Sequence, residues 1–322
     1  MLKHISSLCV SIALIVSSCS KYGPGIGNPL DKVSEGFPKT DIGKLLEGDK
    51  CRKITDVTWD NTYNVTAGLD YYQLKVITEA GDKQSIYLLR ADLSKGISAR
   101  VAISSETTSS LWARQELSKM AASMHTTARP VYAMVNADFC DNREPIRPRG
   151  PVHCNGVQWA STYSLDPQFK QQGLSYVGMT DAGKMTIGTR ENYESVKNSL
   201  KECTGAGVIL VQDSKIQGGM VVTATQRDPR TAIGYTTDNV VWILVVDGRH
   251  GTLGMTYEEM ASIFHALGCE AAVNLDGGGS TEMLVRNPLS GVMEICNWPS
   301  DPTNGEGGQE RPRPNAWAIV KK

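Results

Sequence analysis

The sequence predicts an α+β fold, a single domain with a large mixed, mostly buried β-sheet and flanking helices. Three observations carry this expectation. Apolar residues alternate with polar ones in several short segments, which is the period of a half-buried strand. Two other segments, near residues 111–125 and 256–267, place their apolar residues at helical spacing. Unbroken apolar runs at Val131–Val135, Val208–Val211 and Val240–Val246 have the length of strands covered on both faces. Strands and helices follow one another without regular alternation, and no linker interrupts the chain after residue 45, so one core is expected. The 322 residues are 40% hydrophobic and 21% charged, which excludes disorder and a coiled coil. With 33 Lys+Arg against 34 Asp+Glu the net charge is -1, so nothing draws the chain to a phosphate polymer, and nucleic acid is not an expected partner.

From the N-terminus, Lys3 and His4 lead an apolar stretch, Leu8 to Val16, too short to span a bilayer; residues 1–18 read as an export signal. The stretch ends in Val16-Ser17-Ser18-Cys19, which resembles a bacterial lipobox, so Cys19 is the expected lipidation site and the cell envelope the expected location. The membrane is then met through the lipid anchor alone. Residues 19–44 are rich in Gly and Pro and read as a tether, with the folded domain over 45–322. Tyr72, Leu74 and Val76, then Ile86 and Leu88, with Gly81-Asp82 between, predict a hairpin; Ile97, Ala99, Val101 and Ile103 predict another strand. Residues 111–125 should form a helix on that sheet. Thr256 and Glu259 form a capping box for a helix that Gly268 ends. Strands are expected at Ala271–Leu275, Met283–Val285 and Ala316–Val320, with a Gly- and Pro-rich loop from Pro299 to Pro314.

Export bears on the cysteines. Cys51, Cys140, Cys154, Cys203, Cys269 and Cys296 remain after the signal and Cys19, an even number that favours disulfides in an oxidising compartment. Cys140 with Cys154 is the expected local pair, because Pro145, Pro148, Gly150 and Pro151 describe a long loop that closure would stabilise. No Cys-x-x-Cys pair and no His-Glu-x-x-His occurs, so a zinc site is not expected.

The segment richest in chemistry is Asn274-Leu275-Asp276-Gly277-Gly278-Gly279-Ser280-Thr281, where a strand runs into three glycines. Glycines leave backbone N–H groups unshielded, so Asn274, Asp276, Gly277, Gly278, Gly279 and Ser280 describe an anion or sugar cradle. It is not a nucleotide P-loop, a dinucleotide loop or a serine-hydrolase elbow, since none of those spacings is present. Three further clusters lie at strand ends: Asn136-Ala137-Asp138; Asp247-Gly248-Arg249-His250; and Arg230-Thr231. Together they place carboxylates and arginines beside the glycines. A carboxylate can stabilise an oxocarbenium-like centre and arginine can hold phosphate oxygens bidentately, so a substrate carrying both sugar and phosphate fits.

These segments resemble the phosphodiester glycosidase family. The resemblance runs from about Val131 to Val320 and is densest in Val246-Asp247-Gly248-Arg249, Gly254-Met255-Thr256 and Asn274 through Thr281. Arg230-Thr231-Ala232-Ile233-Gly234 and Glu310-Arg311-Pro312-Arg313-Pro314-Asn315-Ala316 also match, in the expected order. Two positions depart from the family pattern: Asp138 stands where a glycine is expected, and His250 where glutamine is common. The resemblance implies cleavage between a sugar's anomeric carbon and a phosphodiester, releasing free sugar and a phosphomonoester; the implied substrate is a carbohydrate phosphodiester, such as one of N-acetylglucosamine. Asp276 is then the expected nucleophile or base, with Asp247 and Asn274 orienting sugar hydroxyls or the catalytic carboxylate, and Glu282, which strand alternation would put on the same face as Ser280, in reserve; Arg230 and Arg311 would grip phosphate, and Asn136, Asp138, Arg249, His250, Asn274 and Asn315 would line the substrate. No cofactor is identified, and a divalent cation on these carboxylates stays open. Two other readings remain: a glycan-binding lipoprotein without turnover, and a metal-dependent phosphodiesterase that cuts P–O bonds.

Overall fold

The computed structural model describes residues 39–217, 226–302 and 306–322. The expected signal, Cys19 and most of the tether lie outside these residues. Order starts earlier than residue 45: Thr40 caps helix α1 (Asp41–Glu47) by accepting from the Gly43 N–H, and Leu46 is fully buried. Gly43, counted above with the tether, is a helical residue packed beside the Asp60 carboxylate.

The chain continues through β1 (Ile54–Thr66), β2 (Leu69–Thr78), β3 (Lys83–Asp92) and β4 (Ile97–Ile103) to helix α2 (Leu117–Met124) and β5 (Val131–Asn136). The hairpin pairs Tyr72 with Leu88 and Leu74 with Ile86, the register its alternation predicts. Helix α2 is shorter than expected, since residues 111–116 are not helical and Gln115 instead pairs with Arg313. Next come β6 (Val152–Cys154), β7 (Val157–Ala160), β8 (Ser175–Thr180), β9 (Met185–Thr189), helix α3 (Tyr193–Val196), β10 (Leu200–Ala206), β11 (Ile209–Gln212) and β12 (Lys215–Ile216). The remainder is β13 (Arg230–Tyr235), β14 (Val240–Val246), α4 (Tyr257–Ala266), β15 (Ala271–Asn274), β16 (Met283–Arg286), β17 (Met293–Ile295) and β18 (Asn315–Lys321). Both halves of the Thr256–Glu259 capping box are made, and Gly268 leaves the helix at φ +75.

The single mixed sheet expected from the sequence is instead three sheets, ordered β1-β2-β3-β14-β13-β15-β11-β12, β7-β6-β10-β8-β9 and β17-β16-β5-β18-β4. Every strand pair among the described residues is antiparallel. The apolar runs are nevertheless covered on both faces. In β14, Val241, Ile243 and Val245 face the central core, while Trp242, Leu244 and Val246 face α4 and α1. In β18, Trp317 and Ile319 enter the central core, while Ala316, Ala318 and Val320 pack on α2. The layers are therefore helix, eight-stranded sheet, five-stranded sheet and helix, with the third sheet adding Val152, Val177 and Ile187 to the central core.

None of the six described cysteines forms a disulfide. The expected Cys140–Cys154 bridge is absent, and its loop is closed by other means. Cys140 pairs main chain with Pro148, and Arg149 bridges Asp141 at 2.9 Å and Asp166 at 3.1 Å. Cys154 leaves the loop to donate its thiol to the Val101 carbonyl in the neighbouring sheet.

Candidate active site

The two large sheets end together at one edge. Register places Ala232 of β13 opposite Asn274 of β15, and Ala316 of β18 opposite Asn136 of β5. The glycine segment crosses between the sheets at this edge. Asn136 fixes the crossing: its amide donates to the Asp276 carbonyl (2.7 Å), and its oxygen accepts from Thr231 Oγ1 (2.7 Å) and the Glu282 N–H (3.1 Å). The Asp276 N–H donates to the Ala137 carbonyl at 2.9 Å. Asn136 is thus a fully buried clamp.

Asp276 emerges from this clamp with its carboxylate between the Gly277 N–H (2.9 Å) and the Arg313 guanidinium, with which it forms an ion pair. Of the four carboxylates expected at this edge, Asp138, Asp247, Asp276 and Glu282, it is the least enclosed, with 13% of its side chain exposed. Behind it Asp138 is buried. One oxygen accepts from the Gly150 N–H (2.8 Å) and the other has no partner among the described residues. Burial, reinforced by the nearby Asp276 charge, pushes the Asp138 carboxyl up to about 7. Asn315 supports it by accepting from the Asp138 N–H at 2.9 Å.

The glycines make room for two arginines. Gly278 sits at φ +61, and a Cβ on it would lie 3.0 Å from Arg249 Nη2; a Cβ on Gly279 would collide with the Arg311 guanidinium and its partner Asp301. Arg311 forks onto Asp301 and reaches Ser280 Oγ at 3.5 Å. Arg249 holds a left-handed φ of +70, uncommon for a side-chain-bearing residue, and pairs with Asp228 at 3.1 Å. Both arginines are about one-third exposed, at 39% for Arg249 and 34% for Arg311. Arg230 is different. Its Nε donates to the Met255 carbonyl (3.0 Å), its Nη2 to the Gln226 carbonyl (2.7 Å), and its guanidinium stacks 4.5 Å above Tyr257.

On the far side of Arg249, Asp247 is buried and accepts from Tyr87 Oη (2.7 Å), the Trp298 N–H (2.9 Å) and Asn297 Nδ2 (3.3 Å). Burial raises its carboxyl to about 6. His250 and the half-exposed Trp298 ring both pack against Gly307. Asn274 turns its amide onto the Leu275 carbonyl and leaves its oxygen buried without a partner among the described residues. Glu282 points away from the glycine loop. The expected alternation from Ser280 does not apply, because Gly278–Ser280 is a 3-10 turn. Its carboxyl meets Glu310, which itself grips the Ser118 N–H (2.9 Å) and hydroxyl (2.6 Å) at the start of α2. Burial and the Glu310 carboxylate push Glu282 up to about 10. Among the described residues no three His, Cys, Asp or Glu side chains converge as a metal-holding group.

A sequence model of the phosphodiester glycosidase family matches residues 129–320. The chain belongs to the phosphodiester glycosidase family. The Bacillus subtilis SPbeta prophage-derived uncharacterized protein YomE is 31% identical over 169 residues, which is 45% of this chain and 26% of that protein. The chain therefore spans about a quarter of that relative's length. Among solved structures, the zebrafish N-acetylglucosamine-1-phosphodiester alpha-N-acetylglucosaminidase catalytic domain, auto-inhibited by its pro-peptide, is 14% identical with a TM-score of 0.57; the match covers 81% of this chain and 87% of that one. A hypothetical protein from Synechocystis is 16% identical with a TM-score of 0.57, over 82% of this chain and 64% of that one. A putative exported protein from Burkholderia pseudomallei is 14% identical with a TM-score of 0.53, covering 81% and 96%. At these identities the structural likeness speaks for the fold. Sequence reading passed over Arg313, Asp228, Asp301, Asn297 and Trp298. Arg313 alone carried a signal, standing two residues after Arg311 inside a segment already matched to the family.

Proposed function

We propose that the protein hydrolyses the bond between the anomeric carbon of a sugar and a phosphodiester oxygen, releasing the free sugar and a phosphomonoester. One observation carries this reading: the Asp276 carboxylate is fixed between Arg313 and the Gly277 N–H at the mouth of a glycine loop overlain by Arg249 and Arg311. A carboxylate and two guanidiniums around bare backbone match a sugar carbon that gains positive charge and a phosphate that gains negative charge. In the proposed reaction Asp276 acts at the anomeric carbon, either as a nucleophile whose glycosyl ester water then hydrolyses to the free sugar, or as a base that takes a proton from the attacking water. The electron pair of the breaking C–O bond goes to the phosphate oxygen. A phosphomonoester leaves readily, so charge stabilisation outweighs general-acid help. Arg249 and Arg311 are the phosphate contacts in this reading. Arg230 acts from behind, holding the Met255 and Gln226 carbonyls that shape the loop under Arg249, and Asp247 holds Trp298 and Asn297 in place.

Hydrolysis of an N-acetylglucosamine phosphodiester in heavy-oxygen water tests the reaction. Label in the released sugar is the expected result; label in phosphate would make the protein a phosphodiesterase, and no product would favour a glycan-binding protein. The proposal extends to location, with export and lipid anchoring at Cys19 supported by Lys3, the apolar stretch and the Val16–Cys19 segment. Cys19→Ala should move the protein from the membrane fraction to the soluble one, and persistence in membranes after a high-salt wash would count against the anchor.

A further inference from the structure

Apart from the glycine loop, the surface carries a groove of about 560 Å³ bordered by Trp112, Arg147, Trp159, Ser161, Thr162 and Tyr163. This volume lies in the ~300–1,000 Å³ range of small-molecule clefts. Trp112 and Trp159 are partly buried and pack against the central core, so their rings are held in place while still bordering the groove. Tyr163 is braced edge-on by Tyr193 at 6.0 Å, and its hydroxyl is buried without a partner among the described residues. Among the described residues no Asp or Glu borders the groove, and Arg147 is its single arginine or lysine.

Both walls lead to the candidate active site. On one side Trp112 stands three residues before Gln115, whose N–H and C=O both pair with Arg313 at 2.9 Å, and Arg313 holds Asp276. On the other, the Tyr163 ring lies against Gly150, whose N–H donates to Asp138.

We propose that this groove is a subsite for a neutral oligosaccharide portion of the substrate, with a pyranose ring stacked on Trp159 and its hydroxyls bonded to the exposed Ser161 and Thr162. The proposal rests on the reading of the Asp276 cluster as a sugar phosphodiesterase of the C–O-cleaving kind. Fixed aromatic rings match the apolar C–H faces of a pyranose, and hydroxyl side chains match its polar edges. A lone arginine does not match a polyanion, and the concavity is too small for a protein partner.

Tryptophan fluorescence of the full chain, titrated with chitotetraose, maltotetraose and mannotetraose, tests the subsite. At least one of these probes should give a saturable change. Trp159→Ala should weaken that binding at least tenfold, and Trp159→Phe should restore most of it. Ser161→Trp fills the groove from an exposed position without disturbing the core and should cause the same loss. Hydrolysis of a single-sugar phosphodiester should be unchanged in both Trp159→Ala and Ser161→Trp, while KM for an oligosaccharide phosphodiester rises. No saturable response to any probe, or undiminished binding in Ser161→Trp, overturns the subsite. Binding that is lost in these variants, in a protein that releases no sugar from a phosphodiester, upholds the subsite and overturns the hydrolase reading.

Discussion

Asp276 and Arg313 form a pair in which each makes the other tenable. Arg313 is 5% exposed at its side chain, so removing its counter-charge leaves a buried cation. Asp276→Asn should therefore do two things: lower turnover on the order of a thousandfold if the carboxylate acts on the transition state, and lower the melting temperature. Adding Arg313→Met should recover melting but not turnover. Recovery of turnover in the double variant would assign Asp276 to structure. The residue level is also where sequence reading was least even. Asp276 was legible because an acidic residue between a buried strand and three glycines has few structural uses. Arg230 and Arg311 looked alike, yet Arg230 turns inward, because the carbonyls that receive it come from Gln226 and Met255 and no local pattern announces them. The Cys140–Cys154 bridge failed for a similar reason: loop length suggests closure but not which groups achieve it.

Among the elements, the glycine loop makes the sharpest demand on sequence. Gly279→Ala puts a methyl group where Arg311 and Asp301 meet, so the ion pair must shift. Turnover should fall by up to about a hundredfold, the cost of displacing a positioning group by an ångström, while melting changes little. A fully active Gly279→Ala protein would remove Arg311 from the reaction. Helix α4 gives a control in which the Thr256 hydroxyl is bonded to Glu259 rather than to a group placed in the reaction. Thr256→Ala deletes one half of the capping box and should cost about 1 kcal/mol of stability without changing turnover. Elements with strong periodicity or caps, such as α4, β14 and the β2–β3 hairpin, were legible in the sequence. The third sheet was not. Its strands are short, and β10, Leu200–Ala206, has six of its seven residues buried with Glu, Cys, Thr and Gly among them, so neither alternation nor an apolar run marks it. Helix α2 was overextended because Ala113 falls at the helical spacing, yet the chain just after it gives the Gln115 main chain to Arg313.

At the scale of the molecule, the antiparallel sheets bring several carboxyl groups into the interior and make stability depend on pH. Asp138, Asp247 and Glu282 are raised to about 7, 6 and 10, so folded chains keep protons that unfolded chains lose near pH 4. Their contribution is therefore most favourable at acid pH and declines as pH rises toward each folded value, by at most about 1.4 kcal/mol per pH unit for each group. Glu282→Gln should flatten the decline in melting temperature between pH 5 and pH 9, and an equally steep decline in the variant would show that Glu282 is not protonated in the fold. The sequence conveyed the layered burial but not the number of sheets, because partner choice among strands is decided by contacts far apart in the chain. β18 shows what that distance entails. It lies between β4 and β5, with Asn315 opposite Ile103 and Ala316 opposite Asn136, and Arg313 precedes it directly. A polypeptide still emerging from the ribosome has made β4 and β5 long before their shared neighbour arrives. The same segment delivers the cation that pairs with Asp276, so a chain that has not yet made Arg313 and β18 has no assembled Asp276–Arg313 pair, and the candidate site forms only when β18 docks.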